Sequence, residues 1–412
     1  MLKITNLKAI EVLDSRGLPT IRTFIKLSDE TIASSTIPSG ASTGSHEAVE
    51  LRDNDKKRYH GKGVLKAVEN VNKKIVKKIT GLSADPKKID QILIELDGTT
   101  NKSSLGANAI LSVSQALIKA LSLSEKTPLW QLLNQLYFSS IKSGFPKLML
   151  NVVNGGKHAN WNFDIQEFII IPNKTLPSQG LQIASEIYQS IKSLLKEKKL
   201  SPLIGDEGGF SPQLKSNEEV FQLIIEAAKK IGYQNRHHYF LAIDSAASEF
   251  SPKKGEYFFQ KENKTLSTNQ LIDFYLKLKK IYQIISFEDP FAENDWEGFE
   301  KFTKKAKSIV IGDDIYTTDP KLIKKAIKKN TSNAVLIKPN QIGTILETAE
   351  SINLAKKVRW KIAISHRSGE TEDPFIADLA YGCGADFIKT GAPARSERLA
   401  KYNRLIEIEN QL

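Results

Sequence analysis

From residue 239 onward, short apolar runs alternate with longer amphipathic stretches, and each run ends in an ionisable residue. Tyr239 to Ile243 leads into Asp244, Ile284 to Phe287 into Glu288, and Ile309 to Gly312 into Asp313. Ala334 to Ile337 leads into Lys338, Lys361 to Ser365 into His366, and Phe387-Ile388 into Lys389. Successive end residues are 44, 25, 25, 28 and 23 positions apart. A strand, a crossover helix and two short loops take about 25–30 residues, so this is the rhythm of consecutive βα units. In a barrel of such units the C-terminal strand ends share one mouth. Three carboxylates, two lysines and a histidine then converge there, which points to metal-assisted acid–base chemistry. The long gap holds an excursion, Ser251 to Lys264, whose Lys253-Lys254-Gly255 turn predicts a small hairpin.

The first third of the chain has a different pattern. Ile4, Leu7, Ile10 and Val12 predict one strand, Asp14-Ser15-Arg16-Gly17 a turn, and Ile21 to Leu27 a second strand. Residues 64–80 and 104–124 carry apolar positions at helical spacing. Together they predict a small α+β domain. A Ser/Gly/Pro-bearing connection near 139–146 sets the division, 1–138 for this domain and 139–412 for the barrel. Within the barrel, Asp319-Pro320 and Asp373-Pro374 predict helix starts with the acid as cap, and Ser396 predicts the cap of the last helix.

Composition narrows the class. Of the 412 residues, 40% are apolar and 26% charged, as in an ordinary globular enzyme. No apolar run approaches the ~20 residues of a membrane span, and the N-terminus does not read as a signal peptide. The single cysteine, Cys383, excludes an intrachain disulfide and fits a reducing cytosol, so a cytoplasmic protein is expected. The net charge of +12 invites a nucleic-acid partner. The lysines, however, are scattered over predicted helix faces, so no nucleic acid is required.

The candidate chemistry starts from Asp244, Glu288 and Asp313. Three carboxylates on successive strand ends suit a hard cation such as Mg²⁺, which prefers oxygen ligands. Lys338 and Lys389 are either bases or salt-bridge partners of those acids. A lysine near its usual pKa of about 10.4 is a poor base, and nearby cations would improve it. His366-Arg367-Ser368-Gly369 joins a proton donor, a bidentate fork and a hydroxyl, a set that suits a phosphate. Glu207 lies in a turn of small residues, Gly205-Asp206-Glu207-Gly208-Gly209. Gln166-Glu167 borders the apolar run Phe168 to Ile171, and His158 follows Asn154-Gly155-Gly156-Lys157. On its own such a histidine reads as structural. Ser39-Gly40-Ala41-Ser42-Thr43-Gly44 lacks the ending of a P-loop and reads as a linker or as a lid.

These segments resemble the enolase family over essentially the full chain. The resemblance rests on Asp14-Ser15-Arg16-Gly17, Pro38 to Gly44, Leu105-Gly106-Ala107-Asn108-Ala109 and Gly205 to Gly209. It continues through Phe287 to Phe291, Gly312-Asp313-Asp314, Lys338 to Gly343, Ser365 to Asp373 and Ile388 to Arg398. What the resemblance implies is an α+β lid domain followed by a modified TIM-type (β/α)8 barrel of ββαα(βα)6 order. It implies reversible dehydration of 2-phosphoglycerate to phosphoenolpyruvate with two Mg²⁺ ions. Asp244, Glu288 and Asp313 would hold the first ion, and Ser39, on a closing loop, would help hold the second. Lys338 would take the proton beside the substrate carboxylate, and Glu207, with Glu167 beside it, would protonate the leaving hydroxyl. Gln166, Arg367, Ser368 and Lys389 would bind substrate, with His158 and His366 close by. The resemblance also implies a homo-oligomer, a dimer or an octamer, and relatives with further roles at cell surfaces. Leu18, Lys157, Trp161 and the surroundings of Cys383 depart from the family pattern without removing a catalytic side chain.

Overall fold

The computed structural model of the chain describes residues 1–40, 44–159 and 161–411, with His158 described through its backbone alone. The candidate-lid residues Ala41, Ser42 and Thr43, and the side chain of His158, lie outside the described residues.

Strands β1 (Ile4–Leu13), β2 (Pro19–Leu27) and β3 (Ile32–Thr36) form an antiparallel sheet in that order. Alternation turns Ile21, Thr23 and Ile25 to one side, where the helix Ala107–Ser124 packs. Two polar pairs are sealed in this contact, Thr23 with Ser112 at 2.6 Å and Ser35 with Gln115 at 2.8 Å. The predicted helix at 64–80 is helical from Leu65 to Ile79, with a π segment at Asn70–Ile75.

The barrel strands are β4 (Lys147–Asn154), β5 (Glu167–Pro172) and β6 (Tyr239–Asp244). A hairpin follows, β7 (Glu256–Phe259) and β8 (Lys264–Ser267), and then β9 (Ser286–Glu288) and β10 (Ile309–Gly312). The last three are β11 (Ala334–Ile337), β12 (Lys361–Ser365) and β13 (Phe387–Lys389). They close in the order β10-β11-β12-β13-β4-β5-β6-β9. Two helices, Pro177–Glu197 and Asn217–Lys230, separate β5 from β6, and from β6 onward each barrel strand is followed by its helix. That is the expected ββαα(βα)6 order. Strand β5 runs antiparallel to both of its neighbours, with Glu167 opposite Asp244 and Asn154.

Inside the barrel, Met149, Ile169, Ala242, Ile311, Leu336 and Phe387 form one apolar core. Full burial of such a side chain contributes about 1.5–3 kcal/mol, so the mouth stands on a packed floor, not a pore. The N-terminal sheet docks on that mouth. Ser39 and Gly369 exchange backbone hydrogen bonds of 2.7 and 3.0 Å, and the Ser15 N–H donates to the Glu370 carbonyl at 2.8 Å. Lys119 reaches Asp373 at 2.9 Å and Lys102 reaches Glu347 at 2.7 Å.

Three local expectations are corrected. The hairpin turns at Gln260–Asn263, not at Lys253–Gly255, because the buried Tyr257 and Phe259 keep the alternation going and Asp164 accepts the Gln260 N–H at 2.7 Å. Ser396 is the first residue of its helix, not its cap. Arg395, at φ +68°, stands before it, and its carbonyl accepts from Arg398 and Leu399. Pro374 precedes the helix Phe375–Gly382 where the first helical position was expected. Asp373 still accepts the Phe375 N–H at 3.1 Å, but its other oxygen serves Lys119 and the Thr36 N–H. Asp319 caps its helix as expected, accepting from Lys321.

Candidate active site

Strand alternation delivers the candidate residues to one place. Each stands two residues from a side chain of the barrel interior: Asp244 from Ala242, Asp313 from Ile311, Lys338 from Leu336 and Lys389 from Phe387. Glu288 follows the same rule from the buried Ser286 on β9. Glu167 obeys it in reverse, two residues before Ile169. It starts its strand, but β5 is antiparallel, so that end also opens at the mouth. One cleft there is lined by Gln166, Glu167, Glu207, Asp244, Asp313, Lys338, His366, Arg367, Ser368 and Lys389. Glu288, fully buried, pairs in register with Asp244 on the neighbouring strand.

The cations interleave with the acids. Lys389 Nζ lies 2.8 Å from both Asp244 Oδ2 and Glu288 Oε1, and 3.1 Å from Glu167 Oε2. Lys338 Nζ lies 2.5 Å from Asp313 Oδ2. Burial alone would lower both ammonium pKa values. The acids override it, Asp244 first for Lys389, which is held well above its ordinary value. Asp313 does the same for Lys338, which is pushed up to about 12. For Asp313, burial is outweighed by Lys338, and its pKa is lowered. Burial, then Asp244, raises Glu288 well above the usual carboxylate range. Burial, then Glu207, does the same to Glu167.

The donor set fits a hard cation. Its oxygens come from three strand-end carboxylates, two ammonium groups already sit on them, and Glu288 Oε2 is buried without a hydrogen-bond partner. Among the described residues, the one set of three acids whose oxygens all lie within 4.8 Å of one another is Asp289, Asp313 and Asp314. Asp289 is a buttress in that set. Its two oxygens accept the N–H groups of Asp313 and Asp314, each at 2.8 Å. Burial and then Asp313 raise Asp314 to about 8.

Glu207 is turned into the cleft by Gly208, at φ +87°, a conformation that glycine adopts freely. Asn151 Nδ2 donates to Glu207 Oε2 at 3.0 Å, and His366 Nε2 lies 3.7 Å from Oε1. Burial keeps the His366 imidazole well below its ordinary pKa, and therefore neutral. Gln166 Oε1 is buried with no hydrogen-bond partner. Arg367 holds Glu47 through both terminal nitrogens, at 2.9 and 3.1 Å, and Asn340 at 3.0 Å.

Ser39 does not line the cleft. Its hydroxyl donates to Asp14 and accepts from Arg16 at 2.9 Å. A Cβ on Gly369 would strike the side-chain ends of Asp14, Arg16 and Ser39, so a larger residue there would displace this cluster at the junction of sheet and barrel. Sequence reasoning missed Asn151, Asp289, Glu47 and Arg398. Asn151 alone carried a usable signal, an amide inside an apolar strand two residues from the interior-facing Met149.

Residues 142–412 match the family profile described as "Enolase, C-terminal TIM barrel domain", and residues 4–133 match that described as "Enolase, N-terminal domain". The chain is 49% identical over 417 residues to the enolase of Elusimicrobium minutum (strain Pei191), covering 100% of this chain and 97% of that protein.

Proposed function

Because the chain belongs to the enolase family, and so is a carbon–oxygen lyase that interconverts 2-phosphoglycerate and phosphoenolpyruvate plus water in glycolysis, we propose how its own residues divide that work. Lys338 takes the C2 proton, and the C–H electron pair moves into the substrate carboxylate. Glu207 then gives a proton to the C3 hydroxyl, which leaves as water while the same electrons close the C2–C3 double bond. The supporting observation is the interleaving of Lys338 and Lys389 with Asp244, Glu288 and Asp313 in one cleft beside Glu207 and the 366–368 loop.

Enolases are Mg²⁺ enzymes, and we assign Asp244, Glu288 and Asp313 to one ion and Ser39 to a second. Bound Mg²⁺ supplies neutralisation of these carboxylates and of the second negative charge that develops on the substrate carboxylate. With the charge of Asp313 committed to that role, burial and Arg367 act on Lys338 with less opposition, and both favour the neutral amine. A lysine base with Mg²⁺ is general to the superfamily and not peculiar to this chain. Lys389 stays charged and adds a fixed positive group. Arg367 and Ser368 hold the phosphate, and Gln166 offers its buried amide to the substrate. Glu167 attends the acid side, and family membership supports a catalytic role for His158. Ser39 would hold its ion through the hydroxyl that now donates to Asp14 and accepts from Arg16.

Family membership also supports a homo-oligomer, a dimer or an octamer, a cytoplasmic location, and the division into a lid domain at 1–138 and a barrel at 139–412. Among the described residues no helix is long and apolar enough to cross a membrane. Turnover of 2-phosphoglycerate compared with an unphosphorylated 2-hydroxy acid checks the phosphate assignment. The phosphorylated substrate is expected to be used and the other to be nearly inert, and the reverse preference would reassign the Arg367-Ser368 loop.

A further inference from the structure

Arg398 lies in the first turn of the C-terminal helix and is 0% exposed. Its Nη1 is 2.6 Å from His366 Nδ1 and 2.5 Å from the Arg367 carbonyl. Its Nη2 is 2.6 Å from the Ser368 carbonyl and 3.2 Å from the Asp206 carbonyl. One guanidinium thus ties three consecutive residues of the substrate loop to the residue before Glu207. Lys401, one turn further along the helix, extends the scaffold by donating to Glu370 at 2.6 Å, while Glu370 accepts the Arg367 N–H at 3.1 Å.

A guanidinium carries only N–H donors and does not deprotonate in proteins. The ring nitrogen that faces it must therefore present its lone pair. A protonated Nδ1 would set N–H against N–H. His366 is consequently a neutral imidazole with its single proton on Nε2, the nitrogen that faces Glu207. We infer that Arg398 is a positioning residue that locks His366 in the Nε2–H tautomer and keeps a neutral donor aimed at the Glu207 side of the cleft.

The consequence rests on Glu207 being the acid, though the geometry does not. As Glu207 gives up its proton it becomes a carboxylate. A donor already facing it stabilises that charge without adding another cation to the resting site. The other tautomer would turn a lone pair toward the same oxygen.

Nitrogen-15 spectra of the full-length protein with labelled histidine, assigned by comparison with His366→Asn, read the tautomer directly. The expected result at neutral pH is a protonated Nε2 and a bare Nδ1. A protonated Nδ1, alone or together with Nε2, overturns the inference. Arg398→Lys provides a second measurement, because the shorter ammonium cannot span His366 and the loop carbonyls together. Dehydration at saturating substrate is expected to fall about 10–100-fold, as for other residues that orient a functional group, with C2 hydrogen exchange largely kept. Equal loss of both, with the tautomer unchanged, would make Arg398 a folding residue only and overturn its positioning role. The tautomer is read without turnover, so it stands apart from the assignment of Glu207, whose failure would appear as dehydration surviving in Glu207→Gln.

Discussion

Lys338→Ala is expected to yield a folded protein that neither dehydrates 2-phosphoglycerate nor exchanges its C2 hydrogen with heavy water. A positioned general base contributes roughly 10²–10⁴ in rate, and the proton beside a carboxylate is so weakly acidic that no other group in the cleft replaces it. Lys389 is held protonated, by Asp244 first among the acids around it, and so cannot serve as the base. The fold should survive, because Lys338 is replaced at the end of β11, where its neighbours Leu336 and Ile337 carry the packing. Asp313 also keeps its hydrogen bond from Gln341 Nε2 at 3.0 Å. Isotope exchange followed by NMR or mass spectrometry checks the outcome. Exchange at the wild-type rate would mean that the base is a different residue.

Glu207→Gln is expected to separate the two halves of the reaction. Dehydration should drop by a comparable roughly 10²–10⁴, while C2 exchange persists, because proton removal by Lys338 does not need the acid. The substitution is close to isosteric, and the new amide can still turn its oxygen toward Asn151 Nδ2, which now lies 3.0 Å from Glu207 Oε2. A loss of exchange in step with dehydration would show either that the two events are concerted or that the cleft has collapsed. A circular dichroism melt unchanged from wild type would exclude collapse.

The barrel was legible because its strands are short and buried on both faces. Each appears as an apolar run whose last or next residue is polar, and alternation then aims that residue inward. Asp244, Glu288, Asp313, Lys338 and Lys389 were found in this way. Glu167 broke the rule, since an antiparallel strand presents its beginning at the mouth, and nothing local in Gln166-Glu167 announces strand direction. Partners contributed by distant segments were not legible. Arg398 meets His366 across 32 positions and Glu47 meets Arg367 across 320, and no local periodicity encodes such pairings. Of the three expected caps, Asp319 stands, and Asp373 stands in part. One Asp373 oxygen still accepts the Phe375 N–H, while the other serves Lys119 and the Thr36 N–H, distant partners that the local pattern does not encode. At the last helix, the left-handed Arg395 displaced Ser396 from the capping position. Asp289 was hidden by its own context, an acid beside an acid, and only the fold shows that it accepts backbone N–H groups.

On the proposed assignment, a divalent cation gathered by Asp244, Glu288 and Asp313 makes C2 deprotonation by Lys338 feasible. The most direct measurement is turnover of 2-phosphoglycerate by the full-length protein before metal removal, after exhaustive treatment with a chelator, and after Mg²⁺ is restored. Activity is predicted to vanish on stripping and to return with Mg²⁺. Undiminished turnover by the stripped protein would contradict the account.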